Sequence, residues 1–206
     1  MKSEVFNMDC IEGMKQYPDS YFDLAIVDPP YGININPNMG IAKGLKKRHT
    51  KKVDWDSVIP PNEYFKELFR VSKNQIIWGG NYFELPANKH FIFWDKLVPV
   101  GMSFSDGEYA WTSFNMANKK YTLRNIFDGK IHPTQKPIQL YKWLLTNYAK
   151  QGDLILDTHL GSGSSRIAAY DMGFDFVGYE IDQEYFNAAE KRFQEFKAQL
   201  TINFND

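Results

Sequence analysis

The residues with the clearest chemical potential are Asp28-Pro29-Pro30-Tyr31, which directly follow the apolar run 24–27. An ionised Asp28 only accepts hydrogen bonds, and the carbonyl of Pro29 is a second acceptor, while the two prolines stiffen the segment and offer no competing N–H. Tyr31 adds a ring face, and stacking on such a face stabilises a base by roughly 1–3 kcal/mol. These groups suit an exocyclic amino group on a flat base, because two acceptors can turn its nitrogen lone pair towards an electrophile. The structural alternative is a stiff turn with a surface tyrosine.

A second group of candidates follows the apolar segment 153–157 and precedes a predicted helix at 165–172. It is the glycine-rich run Leu160-Gly161-Ser162-Gly163-Ser164. Such a turn between strand and helix exposes N–H groups to a nucleoside or an amino-acid headgroup. Arg166 replaces the third glycine of a dinucleotide fingerprint, which argues against NAD or FAD. Glu180 ends the predicted strand 174–179, where a carboxylate often binds ribose hydroxyls; a surface glutamate is the alternative.

Two motifs carry a resemblance to a known family. The tetrapeptide at Asp28 resembles the catalytic motif of amino-group DNA methyltransferases, which use S-adenosylmethionine to make N6-methyladenine or N4-methylcytosine. A second motif, His132-Pro133-Thr134-Gln135-Lys136-Pro137, is closely similar to the segment that precedes the cofactor loop in that family. The catalytic motif comes first and the cofactor loop last, which is the circularly permuted order of the beta group. The resemblance implies that the catalytic residues are Asp28, Pro29, Pro30 and Tyr31.

The resemblance also implies a set of cofactor-binding residues. Asp9 is expected to bind the adenine amino group of the cofactor, although an aspartate there also suits a helix N-cap. Thr134 and Lys136 are expected to hold its methionine end. His159 takes the place of the family's phenylalanine, because this chain has Asp157-Thr158-His159 where the family commonly has Asp-Pro-Phe. The expected cofactor-binding residues are Asp9, Cys10, Thr134, Lys136, Asp157, His159, Gly161, Ser162, Gly163, Ser164 and Glu180; no metal site is expected.

The motifs can meet only if the elements between them build a parallel sheet. We expect an α/β protein with a Rossmann-like, seven-stranded, mostly parallel sheet, an antiparallel edge hairpin at 91–94 and 109–113, and helices on both faces, which is the S-adenosylmethionine-dependent methyltransferase fold. The strands ending in Asp28 and Asp157 should be adjacent and central, so that methyl donor and target base meet at their carboxyl ends. The N-terminal strand should lie beside the strand that ends at Glu180.

Length, charge and cysteine content narrow the class of protein. The 206 residues fit a single domain over 1–206. The net charge is −1, so an affinity for nucleic acid requires a local basic patch. Cys10 is the only cysteine, which rules out an intrachain disulfide. No segment suits a signal peptide or a membrane span, and we expect a cytoplasmic protein with no membrane partner.

Two polar, basic segments are candidate DNA contacts. The loop 33–54 shows little periodicity and follows the catalytic motif, so it could clamp a DNA backbone; a solvated loop is the alternative. The segment 114–131 is a short candidate for target recognition. The expected DNA-binding residues are Lys43, Lys46, Lys47, Arg48, Lys51 and Lys52.

These observations predict a site-specific DNA methyltransferase that acts on adenine N6, because the resemblance associates aspartate, rather than serine, at position 28 with adenine. Three alternatives stay open: a cytosine-N4 enzyme, a DNA-binding protein with a degenerate cofactor pocket, and a methyltransferase acting on RNA or protein. The expected partner is double-stranded DNA. A second copy of the chain, giving a homodimer, and a cognate restriction endonuclease are further candidate partners.

Overall fold

The computed structural model describes residues 1–34, 55–99, 105–124 and 130–203. The six basic residues expected to bind DNA, from Lys43 to Lys52, lie outside these ranges, as does part of the segment 114–131. The roles of both segments in DNA binding therefore stay predictions.

The described residues form eight strands, five α-helices and two short 3-10 helices. The strands are β1 (Ser3–Phe6), β2 (Phe22–Val27), β3 (Ser72–Trp78), β4 (Phe91–Asp95), β5 (Gly107–Thr112), β6 (Lys119–Thr122), β7 (Leu154–Asp157) and β8 (Asp175–Tyr179). The helices are α1 (Cys10–Met14), α2 (Asn62–Val71), α3 (Ile138–Tyr148), α4 (Ser164–Asp171) and α5 (Gln183–Asn203). Among these helices, none combines the length and the apolar character that crossing a bilayer requires.

The strands form one sheet in the order β1-β8-β7-β2-β3-β5-β4-β6. All neighbouring pairs are parallel except those of β5, which runs antiparallel to both β3 and β4. β2 and β7 are adjacent at the centre, with Leu24 opposite Ile155, and β1 pairs with β8 at the edge. The predicted fold class and these two pairings are confirmed.

The predicted number of seven strands is one too few. β6 lies inside the polar segment 114–131 and pairs in parallel with β4, with Ile92 opposite Lys119, so the β4–β5 hairpin is not at the edge. Residues of β6 are at most half-buried, and its sequence Lys-Lys-Tyr-Thr has no apolar run. Sequence patterns miss an edge strand of this kind because backbone hydrogen bonds to the neighbouring strand stabilise it, whereas few of its side chains are buried.

Helices cover both faces of the sheet and bury two apolar clusters. Leu24 and Ile26 of β2 face the cluster under α3 and α4, whereas Ala25 and Val27 face the cluster under α1 and α2. Consecutive strand residues point to opposite faces, so a central strand covered on both sides must be apolar throughout. The continuous apolar sequence of β2 is explained by this burial, and the strand delivers Asp28 to the edge where the parallel strands end.

Candidate active site

A cavity of about 230 Å³ lies at the carboxyl ends of the central parallel strands. Its walls include Asp28 after β2, Gly161 after β7 and Glu180 after β8. Two segments that are far apart in the chain therefore share one cavity. Of the residues predicted to bind the cofactor, those that line the cavity are Asp9, Cys10, Thr134, Lys136, His159, Gly161, Ser162 and Glu180.

The carboxylate of Asp28 makes a hydrogen bond through each of its oxygens. Oδ1 accepts the Tyr31 hydroxyl proton, with 2.6 Å between the oxygens, and Oδ2 accepts from Lys136 Nζ at 2.5 Å. A carboxylate has about four lone-pair positions, so each oxygen keeps a position for another donor. Of the two prolines, Pro30 lines the cavity and Pro29 is buried.

The ring of Tyr31 is enclosed by the turn that follows β3. Tyr82 stacks on it with 4.9 Å between the ring centroids, and Phe83 meets it edge-on. Gly79 has a φ of +67°, and a Cβ at this position would lie 2.2 Å from the Tyr31 ring. The predicted open ring face is thus covered by Tyr82 in this structure, and Tyr31 is absent from the cavity lining.

The ammonium of Lys136 lies between two carboxylates. It is 2.5 Å from Asp28 Oδ2 and 2.8 Å from Glu108 Oε2, and the Lys136 side chain is only 2% exposed. Lys96 Nζ contacts the other oxygen of Glu108 at 2.5 Å. Lys136 therefore lines the cavity with its charge paired to Asp28 and Glu108, and its contact with the methionine end of the cofactor stays a prediction.

Lys96, Glu108, Lys136 and Asp28 thus form a row of alternating charges, the active-site charge row. This charge row controls the protonation of the site. Burial raises the pKa of Asp28 and Lys136 lowers it, while Glu108 raises it again; the balance lies above the ordinary value. Burial also raises the pKa of Glu108, but Lys136 and Lys96 outweigh that effect and bring it to about 2. Burial disfavours the charged form of Lys136, and the two carboxylates overcome this and raise its pKa. Of the two carboxylates, Asp28 is the better proton acceptor.

Asp157 lies behind the glycine-rich loop 160–164 and holds the residues on either side of it. Its Oδ2 accepts from the Ser165 hydroxyl at 2.5 Å, and its Oδ1 accepts from the His159 N–H at 3.0 Å. Burial raises the pKa of Asp157 to about 7, against the lowering effect of these two hydrogen bonds. Asp157 is not part of the cavity lining, and neither are Gly163 and Ser164 at the start of α4.

His159 belongs to a polar chain that begins inside the protein. The buried Tyr64 hydroxyl lies 2.7 Å from Thr158 Oγ1, which lies 2.9 Å from His159 Nδ1. Burial lowers the pKa of His159 to about 4, so the imidazole is neutral at pH 7. The ring also meets Tyr64 edge-on, with 5.3 Å between centroids. The residue therefore supplies both an aromatic edge and a neutral polar group to the cavity wall.

Two acidic residues fix backbone near the cavity. Glu180 accepts from the N–H of Gly161 at 2.8 Å and from the N–H of Asp182 at 2.9 Å, and burial raises its pKa. Asp9 accepts from the N–H groups of Ile11 and Glu12, which makes it the N-cap of α1, the alternative foreseen from the sequence.

The cavity wall is rich in carboxylates. Asp9, Asp28, Glu180 and Asp182 all line it, and the one lysine of the lining is paired with carboxylates. Burial raises the pKa of Cys10 to about 12, so this thiol stays protonated and uncharged. A wall of this kind favours a ligand that carries positive charge and disfavours phosphate groups.

Several lining residues were not singled out from the sequence, namely Met8, Tyr141, Ile181, Asp182 and Tyr185. Met8 and Ile181 directly adjoin the predicted residues Asp9 and Glu180, so a window around those positions would have found them. Glu108 lies on β5, far from every motif in sequence, and only the antiparallel course of β5 brings it to Lys136. No pattern in the sequence pointed to it.

Comparisons with known proteins agree with this geometry. Residues 77–191 match the model of the N6/N4 methyltransferase family, described as DNA methylase. A Type II methyltransferase of Haemophilus influenzae, M.HinfI, is 26% identical over 92% of this chain and 67% of its own length. The crystal structure of M1.HpyAVI with S-adenosylmethionine has a TM-score of 0.60 at 22% identity, covering 92% of this chain and 98% of that one.

The PvuII cytosine-N4-specific DNA methyltransferase has the same fold, with a TM-score of 0.62 at 14% identity over 95% of this chain and 91% of that one. The family match extends from the end of β3 into α5 and covers more than half of the chain. The family that the two motifs indicated is confirmed: this chain belongs to the N6/N4 family of DNA methylases.

Proposed function

We propose that this protein transfers a methyl group from S-adenosylmethionine to the exocyclic N6 of adenine in double-stranded DNA. The observation that supports this most strongly is that the Asp28 carboxylate and the glycine-rich loop at Gly161 line the same cavity. A methyl donor bound along the loop and an amine bound at Asp28 would then be neighbours, as direct transfer requires.

The residues of the cavity fit the proposed cofactor. S-adenosylmethionine carries a positive sulfonium, which suits the carboxylate-rich wall, and when bound it supplies the electrophilic methyl group. Glu180 keeps lone pairs for ribose hydroxyls beside those used by Gly161 and Asp182. Thr134 and Ser162 offer hydroxyls along the wall, and His159 offers a neutral ring.

The chain's own groups act on the amine. The amino group of a base is conjugated with the ring and is a weak nucleophile, and it is screened in a duplex, so we propose that the target base is flipped into the cavity. Asp28 then accepts one N–H of the amine and raises the electron density on nitrogen. Tyr31 and Lys136 keep this carboxylate in one orientation through the two hydrogen bonds at 2.6 and 2.5 Å. Orienting the reacting groups in this way is worth several orders of magnitude in rate.

The choice of adenine over cytosine rests on the aspartate at position 28 and on the resemblance described above. The fold itself is shared with a cytosine-N4 enzyme and is neutral on this point. The test is to incubate the protein with S-adenosylmethionine and unmethylated double-stranded DNA, and to identify the methylated nucleoside by mass spectrometry after digestion. We expect N6-methyldeoxyadenosine. N4-methyldeoxycytidine would overturn the base assignment but not the reaction class.

An Asp28→Ala variant tests the role of the carboxylate. It should lose methyl transfer by at least about 100-fold while still binding S-adenosylmethionine in a calorimetric titration. The matched control is Asp106→Ala, which removes an exposed carboxylate and should leave turnover unchanged. Full turnover by Asp28→Ala would contradict the proposed role. Failure of the unaltered protein to bind the cofactor would favour the alternative of a DNA-binding protein with a degenerate pocket.

Double-stranded DNA is part of the same proposal. We propose that the basic residues of the loop 33–54 contact phosphates, since the chain as a whole is close to neutral and DNA affinity needs such a patch. Replacing Lys46 and Lys47 together by alanine should weaken DNA binding and lower its salt dependence by about two phosphate contacts. A homodimer and a cognate restriction endonuclease stay candidate partners, testable by light scattering and by co-purification.

A further inference from the structure

Glu108 is the one carboxylate of the active-site charge row that no motif accounts for. It lies near the start of β5, and because β5 runs antiparallel to β3, its first residues lie at the edge where the parallel strands end. The lack of a side chain at Gly107 lets β5 lie close to β4 at this point, since a Cβ there would lie 2.5 Å from the carbonyl oxygen of Trp94. The backbone of β5 and β4 therefore fixes the position of Glu108 beside Lys136.

Glu108 forms ion pairs with two lysines. Its Oε2 is buried and lies 2.8 Å from Lys136 Nζ, and the charge of Lys136 holds Glu108 in its ionised form. Its Oε1 contacts Lys96. Lys136, which also lies over the Trp78 ring at 5.3 Å, thus divides its charge between Glu108 and Asp28.

We propose that Glu108 is a positioning residue for methyl transfer: it holds Lys136 between two carboxylates, so that Asp28 stays oriented without being fully neutralised and remains able to accept a proton. The inference rests on the proposed function and adds a residue to it. With Glu108 absent, Lys136 would pair with Asp28 alone, and Asp28 would become a weaker acceptor.

The proton balance of methyl transfer shows why Asp28 must remain able to accept a proton. Forming the new N–C bond leaves one proton too many on the amine nitrogen, and the electron pair of the broken C–S bond stays on sulfur. The surplus proton needs an acceptor within reach. Asp28 lines the cavity whereas Glu108 does not, and the pKa of Asp28 is raised while that of Glu108 is lowered. Asp28 therefore takes the proton, and Glu108 stays ionised and holds Lys136.

Other groups also face Asp28, and none of them is altered by a substitution at Glu108. They are Tyr31 in its own loop, Tyr141 of α3, Tyr64 of α2 and Asp157 at the end of β7. The three hydroxyls are protonated at neutral pH because burial raises their pKa values. A difference between the unaltered protein and Glu108→Gln therefore reports on Glu108 and on the two lysines that it contacts, Lys136 and Lys96.

The test compares the pH dependence of kcat in the unaltered protein, Glu108→Gln and Glu108→Asp, with S-adenosylmethionine and unmethylated double-stranded DNA. Removing the negative charge should lower the pKa of Asp28, so the acidic limb of the profile should move to lower pH by on the order of one unit, and the plateau kcat should fall about 10-fold. The KM for S-adenosylmethionine should change little. Glu108→Asp keeps the charge and should restore the position of the limb. The matched control is Glu63→Gln on the exposed start of α2, which should leave the profile unchanged.

A second measurement does not depend on turnover. Carbon-13 NMR of labelled aspartate side chains, in the protein without cofactor, should show the Asp28 carboxyl titrating at lower pH in Glu108→Gln than in the unaltered protein. Absence of methyl transfer by the unaltered protein would refute the proposed function, whereas the NMR shift would still test the charge row. An active Glu108→Gln variant with an unmoved limb and an unmoved Asp28 titration would overturn the inference, because Glu108 would then only stabilise the fold.

Discussion

Replacing Asp157 with asparagine should change how the stability of this protein depends on pH. The Asp157 side chain is buried at the end of β7, where Ser165 and the His159 N–H donate to it, and burial raises its pKa from 3.8 to about 7. The folded protein thus binds this proton more tightly than the unfolded chain does. The resulting stabilisation is fully present below about pH 4 and is lost as the pH rises through about 7.

The magnitude follows from the shift. Roughly three pH units at about 1.4 kcal/mol per unit give about 4 kcal/mol. Asparagine carries no titrating proton, so the free energy of unfolding of Asp157→Asn, relative to the unaltered protein, should increase by up to about 4 kcal/mol between about pH 4 and pH 7.5. Urea unfolding at a series of pH values measures this difference directly.

A matched control separates the effect of burial from that of removing a carboxylate. Asp106→Asn replaces an exposed carboxylate and should give a difference from the unaltered protein that is flat over the same pH range. Unfolding curves of Asp157→Asn and the unaltered protein that stay parallel at every pH would refute the reasoning.

Two other variants test the walls of the site. His159→Phe should bind S-adenosylmethionine more tightly than His159→Ala in calorimetry, because phenylalanine keeps the aromatic contact with Tyr64 at 5.3 Å; equal affinities would show that the ring is not used. Gly79→Ala should lower the midpoint of thermal unfolding more than Gly152→Ala does. Both glycines have positive φ, at +67° and +92°, but only at Gly79 would a Cβ collide with a ring, that of Tyr31; equal losses would contradict the collision.

The parts of the fold that were predictable are those specified by local sequence. The apolar runs of β2, β7 and β8 indicated buried parallel strands, and the predicted strand 174–179 agrees with β8 to within one residue. We could predict that β2 and β7 are adjacent because the residues that follow them, Asp28 and the glycine-rich run at Gly161, must meet in one site. These features depend on side-chain periodicity and on the chemistry of the motifs, both of which are visible in one sequence.

The parts that were missed depend on which strand pairs with which. The hairpin of β4 with β5 was predicted, but periodicity does not show that β5 also pairs with β3, so nothing indicated that Glu108 would reach Lys136. The stacking of Tyr82 on Tyr31 likewise depends on the turn after β3, and the weakly apolar β6 is a strand only because β4 offers it a free edge. In each case a tertiary contact decides what a local pattern leaves open.

The pairing of β1 with β8, in which Ser3 lies opposite Phe176, bears on how the chain reaches its native state. During synthesis β1 leaves the ribosome long before its partner exists, and contacts between such distant residues slow folding to roughly milliseconds or seconds. Until β8 is in place, the backbone hydrogen-bonding groups of β7 and β1 that β8 will occupy can pair with other chains, which favours aggregation. A polypeptide cut before residue 175 would lack β8 and would leave β1 permanently without its partner.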